Sequence, residues 1–244
     1  MFSLSTKHLT KHFDGVTAVN KLSLSIEQGN ITSIIGPNGS GKTTLVNLLS
    51  GIFPYDSGVV MINEAVELKK IKAQEIKDYG ITRTFQDVRL FEQMAVLDNI
   101  LVVVTERHVW SSLFERHGKF HFKIVQEVLE QVGLWDKRNE LAINLSYGQR
   151  KLLEIARALA IKADIYLLDE PFAGLFKEMV KIVVKVIKTL KQQGKTVVLI
   201  EHNMDLIREL SDHVFVLDSG EMLAEGKPEK VLAQQNVVEA YLGE

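Results

Sequence analysis

The chain has 244 residues, 25% of them charged, a formal net charge of −2 and no cysteine. That length supports a large core with room for an added lobe, and the near-neutral balance gives no bulk attraction to nucleic acid or anionic lipid. Disulfides and thiolate metal sites are excluded, and no apolar run approaches the roughly 18–20 residues that span a bilayer.

Residues 4–61 read largely as strands. Leu22-Ser23-Leu24-Ser25-Ile26 alternates with period two, as a half-buried strand does, and Gly29-Asn30 marks a turn. An apolar run from Ile31 to Ile35 leads into Gly36-Pro37-Asn38-Gly39-Ser40-Gly41-Lys42-Thr43-Thr44, and a helical pattern follows to residue 49. This is the phosphate-loop pattern in its required strand–loop–helix context. The glycines let the backbone of Asn38, Gly39, Ser40, Gly41, Lys42, Thr43 and Thr44 curl so that N–H groups point inward at phosphate oxygens, and the helix N-terminus adds a favourable dipole. Lys42 reaches the β- and γ-phosphates, and the Thr43 hydroxyl takes a place on Mg²⁺. A Gly-rich turn before an ordinary helix is the bland alternative, and the full pattern in its full context sets it aside. The pattern predicts nucleoside triphosphate binding.

Residues 58–63 read as a further strand. Residues 67–79 read as a polar helix whose Lys69, Lys70, Lys72 and Lys77 form a solvated face. Ile81-Thr82-Arg83-Thr84-Phe85-Gln86 is a short strand with a polar end. From residue 87 to about 142 the pattern is helical, without a parallel-type strand, and carries Trp110 and Trp135. It reads as a helical lobe inserted in an α/β core.

Leu145-Ser146-Tyr147-Gly148-Gln149 opens a helix over 150–160, in which Leu152, Ile155, Ala156 and Leu159 share one apolar face. Ser146 with Gln149 forms a capping box, and a capped N-terminus beside a glycine is also an anion site. Strand candidates at 165–168, 197–200 and 214–217 then alternate with helices, which predicts a parallel sheet covered on both faces. The first of them ends in Asp169-Glu170. A strand beside the phosphate loop puts Asp169 near Mg²⁺ and Glu170 near the γ-phosphate, where it activates the attacking water. Pro228 and a helical 229–241 close the chain.

Phosphate loop, Gln86, Leu145 to Gln149, Asp169-Glu170 and His202 occur in the order and spacing of the ATP-binding cassette (ABC) ATPases, and the resemblance covers essentially the whole chain. It implies a P-loop NTPase α/β core with a mainly parallel sheet, an N-terminal antiparallel β-subdomain and an inserted helical lobe. On that reading residues 1–87 and 160–244 form the core and 88–159 the lobe. ATP and Mg²⁺ are the implied cofactors, with Thr43, Gln86 and Asp169 around the metal. Gln86 resembles the Q-loop glutamine that senses Mg²⁺ and attacking water, and His202 the switch histidine on the γ-phosphate. Phe13 sits where the family stacks an aromatic on adenine, with Val16 and Ala18 as the wall beside it. Ser146, Gly148 and Gln149 resemble the signature that contacts ATP held by a second ABC ATPase subunit, so the resemblance implies a homo- or heterodimer. Two positions depart from the family pattern: Tyr147 replaces the commoner signature glycine, and Phe176 stands where the D-loop ends in Asp or Asn.

One phosphate loop and no sustained heptads favour a transporter subunit over the DNA-repair and translation members of the family. The wording of Gly80 to Gln86, Arg89-Leu90-Phe91, Pro171-Phe172-Ala173-Gly174-Leu175 and Ala224-Glu225-Gly226 looks like the ATPases of branched-chain amino acid importers. The lipopolysaccharide-export ATPase is a near relative, and the stretch from 105 to 122 leans toward the importer. The implied partners are membrane permease subunits and no nucleic acid; the implied location is the cytoplasmic face of the cell membrane. Leu90, Phe91 and Met94, close to Gln86, are the expected groove for a permease helix, with Trp110, Leu113 and Phe114 beyond. A phosphate-loop kinase, by contrast, has an acceptor site and no signature.

Overall fold

The computed structural model describes residues 1–105 and 118–242; Trp110, Leu113 and Phe114 lie outside them. Two compact units emerge. The first comprises Met1–Arg83, Ala163–Glu170 and Ile187–Glu244, the second Thr84–Lys162 and Pro171–Val186. The lobe expected over 88–159 falls within the second unit, which also takes in Pro171–Val186.

In the first unit, β1 (Phe2–Phe13) and β2 (Val16–Glu27) form a long hairpin. Asp14 and Gly15 both have positive φ, 42° and 88°, the backbone a two-residue hairpin turn needs to match strand twist. With β4 (Ser57–Ile62) and β5 (Val66–Leu68) they make an antiparallel sheet in the order β2-β1-β4-β5. The polar segment expected to be helical from residue 67 thus begins as strand, and only Ala73–Tyr79 turns, as a 3₁₀ helix. Its four lysines are exposed, as expected.

A second, six-stranded sheet runs β10-β9-β3-β8-β7-β6. It contains β3 (Ile31–Ile35), β6 (Ile81–Arg83), β7 (Ile165–Asp169), β8 (Thr196–Ile200), β9 (His213–Asp218) and β10 (Glu221–Gly226). All neighbours are parallel except β10, which returns antiparallel on β9. Every residue of β3, β7 and β8 is buried, which explains the mostly apolar runs of β7 and β8, while β3 buries Thr32 and Ser33 as well. Helix α1 (Lys42–Leu49) presents Leu45, Val46, Leu48 and Leu49 to a core shared by both sheets, including Leu9, Leu24, Val60, Ile34, Leu167 and Phe215. Each such side chain contributes about 1.5–3 kcal/mol on burial, so the helix that follows the phosphate loop is firmly anchored. A second cluster packs Ile35, Val214 and Val216 against Ile207, from the helix Met204–Leu210 between β8 and β9, and against Val231 and Val237 of the last two helices.

The second unit is helical. α2 (Val96–Val104), α3 (Gly118–Gln131) and α4 (Tyr147–Ala160) pack on one another, burying Val96, Ile100, Val125, Leu129, Leu152 and Ile155. Among the described residues its only β feature is an isolated bridge, Ala95 to Leu141. α4 begins at Tyr147, three residues before the expected start.

Candidate functional site

The register of the parallel sheet assembles the site in the first unit. Ile34 on β3 pairs with Ile200 on β8, and Ile200 pairs with Asp169 on β7. The loops that follow this row carry the phosphate loop, Glu201-His202 and Glu170. All leave the sheet at its C-terminal edge, where ligands of open α/β sheets bind. β7 is not directly beside β3, because β8 lies between them. Asp169 therefore sits two strands, roughly 10 Å, across the sheet from Ile34.

The phosphate loop is held from behind and open in front. A Cβ added to Gly36 (φ 150°) would lie 2.1 Å from the Leu217 carbonyl oxygen, and one on Gly41 (φ 97°) 2.4 Å from that of Ala18. Neither position admits a side chain. A Cβ on Gly39 would meet nothing within 4 Å, so that stretch of backbone faces space a phosphate can enter. Lys42 Nζ donates to the Gly36 and Pro37 carbonyls, both at 2.7 Å, and to Ser40 Oγ at 3.3 Å. Its charge is thereby kept over the loop. α1 opens without a side-chain cap and without an acidic residue in its first turn, leaving its N-terminal dipole available to an anion. Thr43 is exposed at that end and Ser40 is buried.

Asp169 is fully buried, and its Oδ2 accepts a hydrogen bond from Arg83 at 3.0 Å. The same guanidinium donates to Asn47 Oδ1 and Ser50 Oγ, each at 2.7 Å. Arg83 thus ties the expected metal carboxylate to the C-terminal end of α1, where a cation also complements the helix dipole. The sequence reading passed over it as one more residue of a short strand. Glu170 has φ 46°, a conformation that costs a bulky residue on the order of 1–3 kcal/mol and that clusters at functional sites. Its N–H donates to the Ile200 carbonyl at 3.0 Å, which fixes the turn. Glu201 is buried and accepts from the His202 N–H at 3.1 Å, while His202 itself is exposed.

Phe13 and Val16 are cross-strand partners at the hairpin tip. Phe13 is 37% exposed and meets Phe53 edge to face at 5.3 Å; Phe53 is a second partly exposed ring that sequence reasoning missed. Ala18 lies two residues further along β2, with its carbonyl against Gly41.

Gln86, Ser146, Gly148 and Gln149 belong to the second unit. Gln86 is exposed. The capping box is present in full: Gln149 N–H donates to Ser146 Oγ at 3.3 Å, and Ser146 N–H to Gln149 Oε1 at 3.0 Å. Gly148 is buried, and a Cβ there would lie 2.6 Å from Met179 Sδ. A larger residue there would have to push that flexible side chain aside. The Tyr147 ring lies over Gly174, where a Cβ would come within 2.6 Å of it, so the tyrosine fills space that a glycine at 174 leaves. Phe176 is 75% exposed.

Comparison with known proteins agrees with this geometry. The family model described as ABC transporter matches residues 19–173. A probable branched-chain amino acid transport ATP-binding protein LivG of Archaeoglobus fulgidus is 38% identical, over 98% of this chain and 95% of its own length. The high-affinity branched-chain amino acid transport ATP-binding protein BraF of Pseudomonas aeruginosa is 37% identical, over 99% and 98%. Among solved structures, a nucleotide-free ATP-binding cassette from an ABC transporter superposes with a TM-score of 0.87 at 34% identity, covering all of both chains. A dimeric cassette in a post-hydrolysis state, bound to ADP and Pi, superposes at 0.81 with 27% identity, over 92% of this chain and 98% of that one. Sheet register, phosphate cradle and these relatives converge: the chain belongs to the ABC transporter family, as an ATP-binding cassette that hydrolyses ATP.

Proposed function

We propose that this ATPase powers import of branched-chain amino acids through a membrane permease, acting as one of a pair of cassettes on the cytoplasmic face of the membrane. The cargo follows the relatives, whose names specify that transport. Among the described residues no helix is long and apolar enough to cross a membrane, in keeping with a pathway supplied by separate subunits. The observation that carries the catalytic reading is the register row Ile34–Ile200–Asp169, which sends phosphate loop, His202 and Glu170 from one sheet edge.

The donors fit Mg²⁺. A buried carboxylate, Asp169, and an exposed hydroxyl, Thr43, are hard oxygen ligands. Mg²⁺ typically takes one or two such groups and completes its shell with water and substrate phosphates. Bound there, it would neutralise phosphate charge. The backbone of Asn38 to Thr44 and the Lys42 ammonium hold the β- and γ-phosphates. Glu170, fixed by its strained turn, positions and deprotonates water, and His202 steadies the γ-phosphate. Phe13 stacks on the base, with Val16 and Ala18 beside it. Gln86 reports to Mg²⁺ and water, while Ser146, Gly148 and Gln149 serve nucleotide on a second cassette, identical or homologous.

The permease docks just after Gln86. Buried Asn99 donates to the carbonyls of Phe91 and Ala95 at 3.0 and 3.1 Å and accepts from Phe91 N–H at 2.9 Å, which fixes the turn that displays Phe91. That ring is 45% exposed, and Leu90 and Met94 are half-buried beside it in sequence; together they offer an apolar seat for an amphipathic helix. Uptake of labelled leucine, isoleucine and valine by cells lacking this chain tests the cargo: uptake should fall, and unchanged uptake overturns that assignment. Phe91→Asp should retain a normal melt and ATP binding yet fail to pull down the permease. Normal assembly would move the docking surface elsewhere.

A further inference from the structure

Among the described residues Lys151 is one of the largest side chains with essentially no solvent exposure, an uncommon setting for a lysine. It lies in the first turns of α4, the helix that opens at Ser146. Its Nζ donates to the carbonyls of Phe85 and Gln86, each at 2.9 Å. One turn further on, Glu154 Oε1 accepts from the Phe85 N–H at 3.1 Å, and Glu154 Oε2 lies 3.9 Å from Lys151 Nζ. A turn beyond that, Arg157 donates to the Arg89 carbonyl and sits over the Phe91 ring at 5.3 Å. The spacing i, i+3, i+6 places all three on one side of the helix. This charged stripe grips the main chain from Phe85 to Arg89 by its peptide groups and meets Phe91 through its ring.

The arrangement is costly to build and costly to break. Burial pushes the Glu154 carboxyl up from its ordinary value against the pull of Lys151 and the Phe85 N–H, and it holds the Arg157 guanidinium down. Apolar side chains would secure helix against loop without that desolvation cost. What they would not do is fix two particular carbonyls and one N–H, since apolar packing is non-directional. The geometry selects the orientation of the peptide groups that carry Gln86.

We infer that Lys151 is a positioning residue for Gln86: it makes the main chain at Gln86 part of the signature helix, so that an event at Ser146 is transmitted to the Gln86 side chain. The inference rests on the proposed role of Gln86 in the reaction. The fixed element is α4 itself, whose N-cap is Ser146, whose first turn carries Gly148 and whose second turn carries Lys151. Any shift of the helix on engaging nucleotide carries the Phe85 and Gln86 carbonyls with it. Truncating the lysine uncouples the two while leaving the phosphate cradle of the first unit untouched.

The test uses the full chain and four variants: Lys151→Met, Lys151→Arg, Gln86→Ala and the Lys151→Met/Gln86→Ala double. Lys151→Met should lower kcat roughly 10- to 100-fold, the scale on which small misplacement of a reacting group is felt. KM for ATP should stay within about twofold, since uniform binding is unaffected. Lys151→Arg, which keeps the donors, should recover most of the loss. In the Gln86→Ala background, Lys151→Met should cost nothing further, and amide exchange at residues 85–87 should quicken. Multiplicative losses in the double variant, or unchanged kcat and exchange in Lys151→Met, overturn the inference. If Gln86→Ala alone leaves kcat intact, the role of Gln86 fails and exchange decides the clamp: faster supports it, unchanged sinks it. Should Lys151→Met not fold, Lys151→Met/Glu154→Gln removes both buried charges together, and the same readouts apply.

Discussion

The two units fix their functional groups by opposite means. In the first, function rides on backbone: the phosphate loop, the Glu170 turn and the Glu201-His202 turn leave one row of a parallel sheet whose strands are buried throughout. In the second, function rides on a loop whose peptide groups are held by Lys151, Glu154 and Arg157. A sheet edge is rigid because its neighbours are hydrogen-bonded on both sides and buried on both faces. A loop has no ladder, so its direction must be set by side chains, and charged ones orient a peptide group more strongly than neutral ones. The first design resists motion, and the second transmits it. Substitutions at backbone-held sites should therefore change chemistry with little change in coupling, while those at side-chain-held sites should do the reverse.

The largest effect is expected at the sheet edge. Glu170→Gln keeps the shape of a residue already held at φ 46° and removes its charge. Turnover should fall roughly 10²–10⁴-fold, the usual worth of a general base, with ATP affinity retained. Single-turnover hydrolysis and nucleotide binding check this. Near-normal turnover would move the base elsewhere.

Arg83 tests the comparison from inside the first unit, because there a buried side-chain ion pair holds the carboxylate proposed to face Mg²⁺. The pair with Asp169 is 4% and 1% exposed. Arg83→Met removes the guanidinium from a buried carboxylate, and breaking such a pair typically costs about 3–5 kcal/mol. Equilibrium denaturation should show a loss of that order. A loss below about 1 kcal/mol would mean the pair behaves as if exposed.

What the sequence disclosed follows the same division. Backbone-built features have local signatures: glycines at fixed offsets, apolar runs of five, a carboxylate pair at a strand end. The phosphate loop, β3, β7, β8 and the Ser146 capping box were legible for that reason. Antiparallel β10 was not, because Glu221-Met222-Leu223-Ala224-Glu225 lacks alternation and owes its place to pairing with β9. The turn Asp14-Gly15 was legible in principle, as Asp-Gly between strand residues is a hairpin signal. Lys151 and Glu154 were invisible, since a charge in an amphipathic helix reads as solvated until tertiary structure covers it. α4 buries Leu152, Ile155 and Ala156 as its apolar face predicts, yet it buries Lys151 and Glu154 as well, while Leu159 is only half-buried. Arg83 was hidden likewise, because its partners at 47, 50 and 169 are distant in sequence.

Gly148 refines the comparison at a smaller scale. An added methyl would meet Met179 Sδ at 2.6 Å and Leu175 Cδ2 at 3.4 Å, so Gly148→Ala overpacks the start of α4. Such insertions cost about 1–3 kcal/mol. The obstacle is one flexible side chain, and Met179→Ala should restore most of the stability in the double variant. If stability returns but turnover does not, the glycine serves the nucleotide through its backbone as well as the packing.

The smallest effect should come from a charged cluster built like the Lys151 grip but left in solvent. Asp56 Oδ1 accepts from Lys11 Nζ at 2.9 Å, and its Oδ2 accepts from the His12 N–H at 2.7 Å, close to the Phe13 end of β1. The hydrogen bond from Lys11, followed by those from the His12 backbone and ring, lowers the carboxyl from 3.8 to about 2. A depressed carboxyl stabilises the fold above its unfolded value, and that contribution is lost as pH falls through the folded one. The window here runs from about pH 4 down to about pH 2. Because the Asp56 side chain is 38% exposed, water screens most of the interaction, and Asp56→Asn should cost under about 1 kcal/mol at neutral pH. The difference between wild type and variant should shrink toward zero as pH falls across that window. Denaturation at pH 7 and pH 3 measures it. A cost as large as that of Arg83→Met would show that burial does not separate the two kinds of charge, and would remove the physical ground for giving Lys151 its role.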